Sequence, residues 1–175
     1  MPAIGIIVGS ASDLDAAAKA AAVMTEFGVE FEVGVASAHR TPEDAENYAK
    51  SARARGIKAI VAMAGLSAAL PGTIAAHTTL PVIGVPIASG PLRGTDALVS
   101  VTQMPPGVPV AGVGIDGAKN AALLALRILA ASDEGLADRL SKWADRAAGD
   151  VVKSREKISE RNMPPVPDSA YGAAI

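Results

Sequence analysis

The stretch Ser37-Ala38-His39-Arg40-Thr41-Pro42 sets an imidazole beside a guanidinium, just ahead of a helix-start signal. Imidazole is the side-chain type that gains and loses protons near neutral pH. A guanidinium is a planar fork of donors suited to phosphate or carboxylate. The chain has 175 residues, only two histidines and no cysteine, so candidates for acid–base chemistry are few. His77, the second histidine, falls in a short helical stretch and reads as a packing or helix-ending residue. No grouping of His, Asp and Glu has metal-ligand spacing, so neither a metal nor a cofactor is expected.

Gly9-Ser10-Ala11-Ser12-Asp13 is the second chemical segment. Its hydroxyls, with the free N–H groups of a following helix, form a natural anion site. Ser12 and Asp13 can equally be plain helix caps. A carboxylate suits ribose hydroxyls better than phosphate. The third segment, Ala64 to Gly72, is built of small residues, which let a backbone approach a ligand closely or let a loop pack closely on a strand. Ala88 to Thr95 is a fourth candidate loop.

These segments need elements to hold them. Ile4 to Val8, Glu30 to Val35, Ala59 to Ala62, Pro81 to Val85 and Val108 to Val113 are short apolar runs that read as buried strands. Helices are predicted from Ser12 or Asp13 to about Phe27, and from an N-cap at Thr41 to about Arg55, with Gly56 as the stop. Further helices are predicted around Gly72 to His77, at Asp96 to Gln103 and at Lys119 to Ala131. Alternation of nearly all-apolar strands with helices argues for a three-layer α/β protein with a parallel sheet. In such sheets ligands bind beyond the carboxyl ends of the strands, and all four candidate loops fall there.

From Ala59 to Leu92 no residue is formally charged, yet glycines and prolines interrupt the run too often for a membrane span. A core buried on both faces of the sheet, extended by subunit interfaces, accounts for it better. Lys plus Arg (16) nearly balances Asp plus Glu (18), which argues against a nucleic-acid surface. The missing cysteines and the lack of a basic n-region at Met1-Pro2-Ala3-Ile4 fit a cytoplasmic protein. Residues 132–175 differ in composition from 1–131 and read as a separate extension. In it Leu136, Leu140, Trp143, Ala147 and Val151 form one apolar stripe on a helix predicted to bend near Gly149, and an extended tail follows Met163.

Five segments in order carry a resemblance: Gly9 to Asp13, Ser37 to Pro42, Pro81-Val82-Ile83-Gly84-Val85-Pro86, Gln103-Met104-Pro105-Pro106-Gly107-Val108-Pro109-Val110 and Lys119-Asn120-Ala121-Ala122-Leu123-Leu124-Ala125. Together they make residues 3–131 resemble the PurE family of de novo purine biosynthesis. The resemblance implies a flavodoxin-like sandwich assembled as an octamer, with the C-terminal helix packed on a neighbouring subunit. It implies conversion of N5-carboxyaminoimidazole ribonucleotide to 4-carboxy-5-aminoimidazole ribonucleotide, with CO2 released, trapped and recaptured, and without ATP or metal. An ATP-dependent carboxylating enzyme would then be a functional partner. By matching positions, Ser10 and Asp13 bind the ribonucleotide, Arg40 contacts its phosphate end, and His39 is the acid/base. Ser37, Gly65 and Ser67 complete the substrate-binding set implied by the matching loops.

One loop departs from the pattern. The mutase-type sequence Gly-Gly-Ala-Ala-His-Leu-Pro-Gly corresponds to Gly65-Leu66-Ser67-Ala68-Ala69-Leu70-Pro71-Gly72, with Ala69 in the histidine's place. The second class of the family carboxylates aminoimidazole ribonucleotide directly with CO2 and carries Ser-Asn-Ala-Leu here; Ser67 and Ala69-Leu70 lean towards it. His39-Arg40 leans towards the mutase. A non-catalytic flavodoxin-like binding module is the remaining alternative. A purely structural assembly protein would give no reason for Ser10, Asp13, His39 and Arg40 to share one edge.

Overall fold

The computed structural model describes residues 1–172. Five parallel strands form one sheet in the order β2-β1-β3-β4-β5. They are β1 (Ile4–Val8), β2 (Phe31–Val35), β3 (Ala59–Gly65), β4 (Val82–Ile87) and β5 (Ala111–Gly112). Every residue of β1 and β4 is buried, which is why their sequences show no alternation. The helices that alternate with them are α1 (Leu14–Glu26), α2 (Pro42–Ala52), α3 (Leu70–Ala76), α4 (Thr95–Thr102) and α5 (Ala118–Ala130).

Side chains alternate across each strand, so each face has its own core. Ile7, Ile60, Ala62, Ala64 and Val82 pack with Ala45, Ala49 and Ala52 of α2, Leu70 and Ile74 of α3, and Ala97 and Val101 of α4. On the other face α1 and α5 lie against each other over β1, β3 and β4. Their buried residues include Ala17, Ala20, Ala121, Ala122 and Ala125. Alanine faces let the helices sit close to the sheet.

Several boundaries shift for physical reasons. The short third helix starts at Leu70, not near Gly72, because Pro71 suits a first helical turn. The fifth strand shrinks from the predicted Val108–Val113 to two residues. Pro109 lacks an N–H on one side of it. On β4, Pro86 turns its carbonyl to the Asp116 N–H (2.9 Å), so its own missing donor lies on the β5 side and the ladder stops.

The chain divides into two compact units, residues 1–136 and 137–175. The helix α6 (Glu134–Ser154) starts at an N-terminus where Asp133 Oδ1 accepts the Leu136 N–H at 2.9 Å. It runs unbroken through Gly149, against the predicted bend there: one glycine inside a long helix costs only about 1 kcal/mol. In the second unit, α7 (Glu156–Glu160) follows, then a segment without regular structure and a single 3₁₀ turn at Asp168–Tyr171. Arg155 stacks over the Tyr171 ring at 3.7 Å from its centre.

Gly5, in the middle of β1, exists to admit Tyr48 of α2. A Cβ there would lie 1.9 Å from the Tyr48 hydroxyl oxygen and 3.1 Å from Cζ. Burial, with the Glu32 carboxylate beside it, pushes the Tyr48 hydroxyl well above the ordinary tyrosine range. Gly5→Ala is therefore expected to destabilise the protein by about 2 kcal/mol through overpacking. In thermal denaturation this lowers Tm by several degrees; an unchanged Tm would show that the ring can slide without loss.

Candidate active site

Chain direction makes the site. β1 lies between β2 and β3, so the chain leaves β1 to one side for β2 and returns to the other side for β3. Loops diverge above such a switch point and leave a crevice beyond the strand ends. Here it is a cleft of about 500 Å3 lined by the loops after β1, β2, β3 and β4. Ser10, Asp13, Ser37, His39, Arg40, Gly65 and Ser67 all line it, so the structure brings every sequence-derived candidate together.

After β1 the backbone forms a 3₁₀ turn, Ala11–Asp13, and Ser10 Oγ accepts the Ser12 N–H at 3.4 Å. Ser12 Oγ donates to Asp13 Oδ1 at 3.1 Å. Asp13 stands at the N-cap position of α1 but makes no capping bond. It is 8% exposed, the one buried acid among the described residues. Burial raises its pKa above the ordinary carboxylate value, and the Ser12 hydrogen bond pulls partly the other way. An under-solvated carboxylate with free lone pairs is an acceptor for ligand hydroxyls.

The loop after β2 closes on itself. The Ser37 N–H donates to Thr41 Oγ1 (2.9 Å), and the Thr41 N–H donates to the Ser37 carbonyl (2.8 Å). Thr41 therefore holds the turn with its hydroxyl and does not cap α2, the role its sequence position suggested. The turn sets out Ala38, His39 and Arg40. The Arg40 backbone N–H and Nε both donate to Ser37 Oγ, at 3.2 and 3.4 Å. Its Nη2 donates to the Gly9 carbonyl at 3.3 Å. The guanidinium thus bridges the β1 and β2 loops and keeps donors to spare. His39 is exposed and has no hydrogen-bond partner among the described residues.

The loops after β3 and β4 interlock through missing side chains. A Cβ on Gly65 would lie 2.0 Å from Ser89 Oγ, and one on Gly90 would lie 2.6 Å from Leu66 Cδ2. Ser12, whose hydroxyl belongs to the Gly9–Asp13 segment, lines the cleft too, as do Ser89 and Leu66, which carry no sequence signal of their own. The loops that hold Leu66 and Ser89 are candidates from the sequence, but which side chain faces which loop depends on the β3–β4 register, Gly65 opposite Ile87. His77 lies outside the cleft: it ends α3, with Nδ1 2.9 Å from the Thr73 carbonyl and Nε2 3.8 Å from Glu46. Among the described residues no cluster of His, Asp and Glu could hold a metal ion, and no helix is long and apolar enough to cross a membrane.

A five-stranded parallel sheet in this order, with a cleft at its switch point that gathers serine hydroxyls, a carboxylate, an imidazole and a guanidinium, defines a flavodoxin-like α/β protein. Comparison with known proteins narrows the class. The chain belongs to the AIR carboxylase family, whose model matches residues 3–149. It is 55% identical over 145 residues to an N5-carboxyaminoimidazole ribonucleotide mutase of Pyrococcus abyssi, covering 83% of each chain. It is 49% identical over 157 residues to the phosphoribosylaminoimidazole carboxylase of Saccharomyces cerevisiae, covering 90% of this chain and 28% of that one. The crystal structure of Treponema denticola PurE superposes with a TM-score of 0.81 at 32% identity, over 90% of this chain and 99% of that chain.

Proposed function

We propose that this protein is an N5-carboxyaminoimidazole ribonucleotide mutase of purine biosynthesis, with residues 1–131 as the catalytic domain and 132–175 as an extension. The observation that carries the reading is the convergence of Asp13, His39 and Arg40 on one cleft, with the acid buried and the imidazole free. Arg40 binds the phosphate end of the nucleotide. Asp13 and Ser10 hold its hydroxyls, and Ser37, Gly65 and Ser67 complete the binding surface. His39 moves the proton.

The chemistry balances without an outside reagent. The carbamate N–C bond breaks, the nitrogen takes a proton, and CO2 is set free beside the ring. The ring carbon then bonds that CO2 and surrenders its own proton to His39, so net proton change is zero. A positioned imidazole suits both transfers. CO2 offers almost nothing to bind, so keeping it in place depends on closure and orientation.

A second reading, direct carboxylation of aminoimidazole ribonucleotide by free CO2, draws on Ala69 in the place of a mutase-type histidine. The yeast relative named a carboxylase is compatible with it. Supplying each substrate separately tests the choice. The mutase turns over the N5-carboxy nucleotide with no added bicarbonate; turnover only of aminoimidazole ribonucleotide plus CO2 would establish the carboxylase.

The protein works as a homo-oligomer, an octamer by its resemblance, in the cytoplasm, and receives its substrate from an ATP-dependent carboxylating enzyme. Supporting assembly, Val33 and Val35 on the edge strand β2 are 45% and 54% exposed, and Val99 of α4 is 54% exposed. The apolar stripe of α6 is the part that packs on a neighbouring subunit.

A further inference from the structure

The β4 loop brings to the cleft a hydroxyl that the site described above leaves idle. Ser89 lines the cleft and is half-buried, and its Oγ has no hydrogen-bond partner among the described residues. A hydroxyl partly withdrawn from water and left unpaired is costly, and a ligand contact relieves it. Two features show that its place is built. Gly65 makes room for it: a Cβ at position 65 would lie 2.0 Å from Ser89 Oγ and 3.1 Å from Ser89 Cβ. Asp116 fastens the backbone that leads to it. The Asp116 N–H donates to the Pro86 carbonyl (2.9 Å), and Asp116 Oδ1 accepts the Ala88 N–H (3.0 Å). Asp116 makes this grip from a left-handed backbone, φ 56°, which aspartate tolerates better than most residues.

Position in the sheet says what Ser89 meets. The strands run β2-β1-β3-β4 across the cleft, so the loops of β2 and β4 are its outer banks, about 14 Å apart by three strand spacings. Arg40 stands on the β2 bank and reaches the β1 loop at Gly9. With the phosphate there, and Asp13 and Ser10 on the hydroxyls, the base and its carboxyl group fall towards the β3 and β4 loops. The β3 segment lines that end with Ala64, Ala68, Ala69 and Leu70, and offers no charged side chain to a carboxylate. Ser67, the other hydroxyl at that end, is exposed to water.

We propose that Ser89 is a further substrate-binding residue whose hydroxyl donates to the carboxylate of the carboxylated nucleotide, and that Asp116 positions it. The proposal deepens the ribonucleotide reading above and rests on it. A hydrogen bond to an ionised acceptor is stronger than a neutral one. It also discriminates, because a nucleotide without the carboxylate leaves the hydroxyl unpaired.

The test is calorimetric titration of the wild-type protein and Ser89→Ala with 4-carboxy-5-aminoimidazole ribonucleotide and, in bicarbonate-free buffer, with aminoimidazole ribonucleotide. Ser89→Ala is expected to weaken the carboxylated ligand about tenfold and to leave the uncarboxylated one within about twofold. Asp116→Gly keeps the left-handed turn without the carboxylate and is expected to show the same selective loss at about threefold, whereas Asp116→Asn keeps the acceptor and binds as wild type. Equal losses on both ligands in Ser89→Ala would mark a merely structural role and overturn the proposal, as would no loss on either. Wild-type binding of both ligands by Asp116→Gly would overturn the positioning role. Wild-type protein that binds neither nucleotide defeats the mutase reading itself, and the proposal with it.

Discussion

His39→Asn lowers kcat by about 10²- to 10⁴-fold and leaves the dissociation constant of the 4-carboxy nucleotide within about threefold of wild type. Asparagine keeps a polar side chain of similar reach but neither gains nor loses a proton near neutral pH. The turn that displays residue 39 is closed by Ser37 and Thr41 and not by the imidazole, so the loop keeps its shape in the variant. Arg40 likewise keeps its bonds to Ser37 and Gly9. The loss should therefore fall on the chemical step. Single-turnover kinetics combined with calorimetric titration separates the two quantities. A variant within tenfold of wild-type kcat would remove His39 from the proton transfer.

Asp13→Asn trades in the opposite direction: a more stable protein that binds its ligand worse. The carboxyl has its pKa raised chiefly by burial, which marks a charge that folding removes from water without full compensation. The sign follows from proton counts. Between the ordinary carboxylate value of 3.8 and the higher folded value, the folded protein holds more proton at this site than the unfolded chain. The cost is thus absent below both values, grows as pH rises through that window and is fully present above it. Asparagine carries no such cost and still accepts from Ser12. Its Tm should exceed that of wild type at pH 7, and the difference should shrink on acidification and vanish below about pH 3.8. Affinity for the nucleotide should fall about 10- to 100-fold, the weight of one charge-assisted hydrogen bond to a hydroxyl. Thermal denaturation across a pH series, with titration at pH 7, checks both halves. A lower Tm for the variant at neutral pH would mean that the Asp13 charge holds the fold together and is not a reserve for ligand.

The legible and illegible parts of the molecule divide by the range of the interactions involved. Ile4 to Val8 and Ala59 to Gly65 are strands because they are apolar, β-rich and bounded by turn residues, all local properties. Ser10, Asp13, His39 and Arg40 could be assigned to one edge because each follows a strand in a parallel sheet, where all carboxyl ends point one way. Thr41 looked like a cap, yet its hydroxyl turns back to Ser37; cap and turn share the same sequence signal. The short β5 depends on Pro86 of a different strand facing it, a non-local fact. Leu66 was hidden for the same reason. Nothing in Gly65-Leu66-Ser67 announces a left-handed leucine, and its partner Gly90 lies on another loop.

The central claim is that the carboxyl carbon never leaves the cleft between the two bonds it makes. The direct measurement is turnover of N5-carboxy nucleotide labelled with 13C in the carbamate carbon, in buffer containing excess unlabelled bicarbonate. The mutase expects the label in nearly every 4-carboxy product molecule. Label diluted to the level of the surrounding pool would contradict it and make free CO2 the substrate.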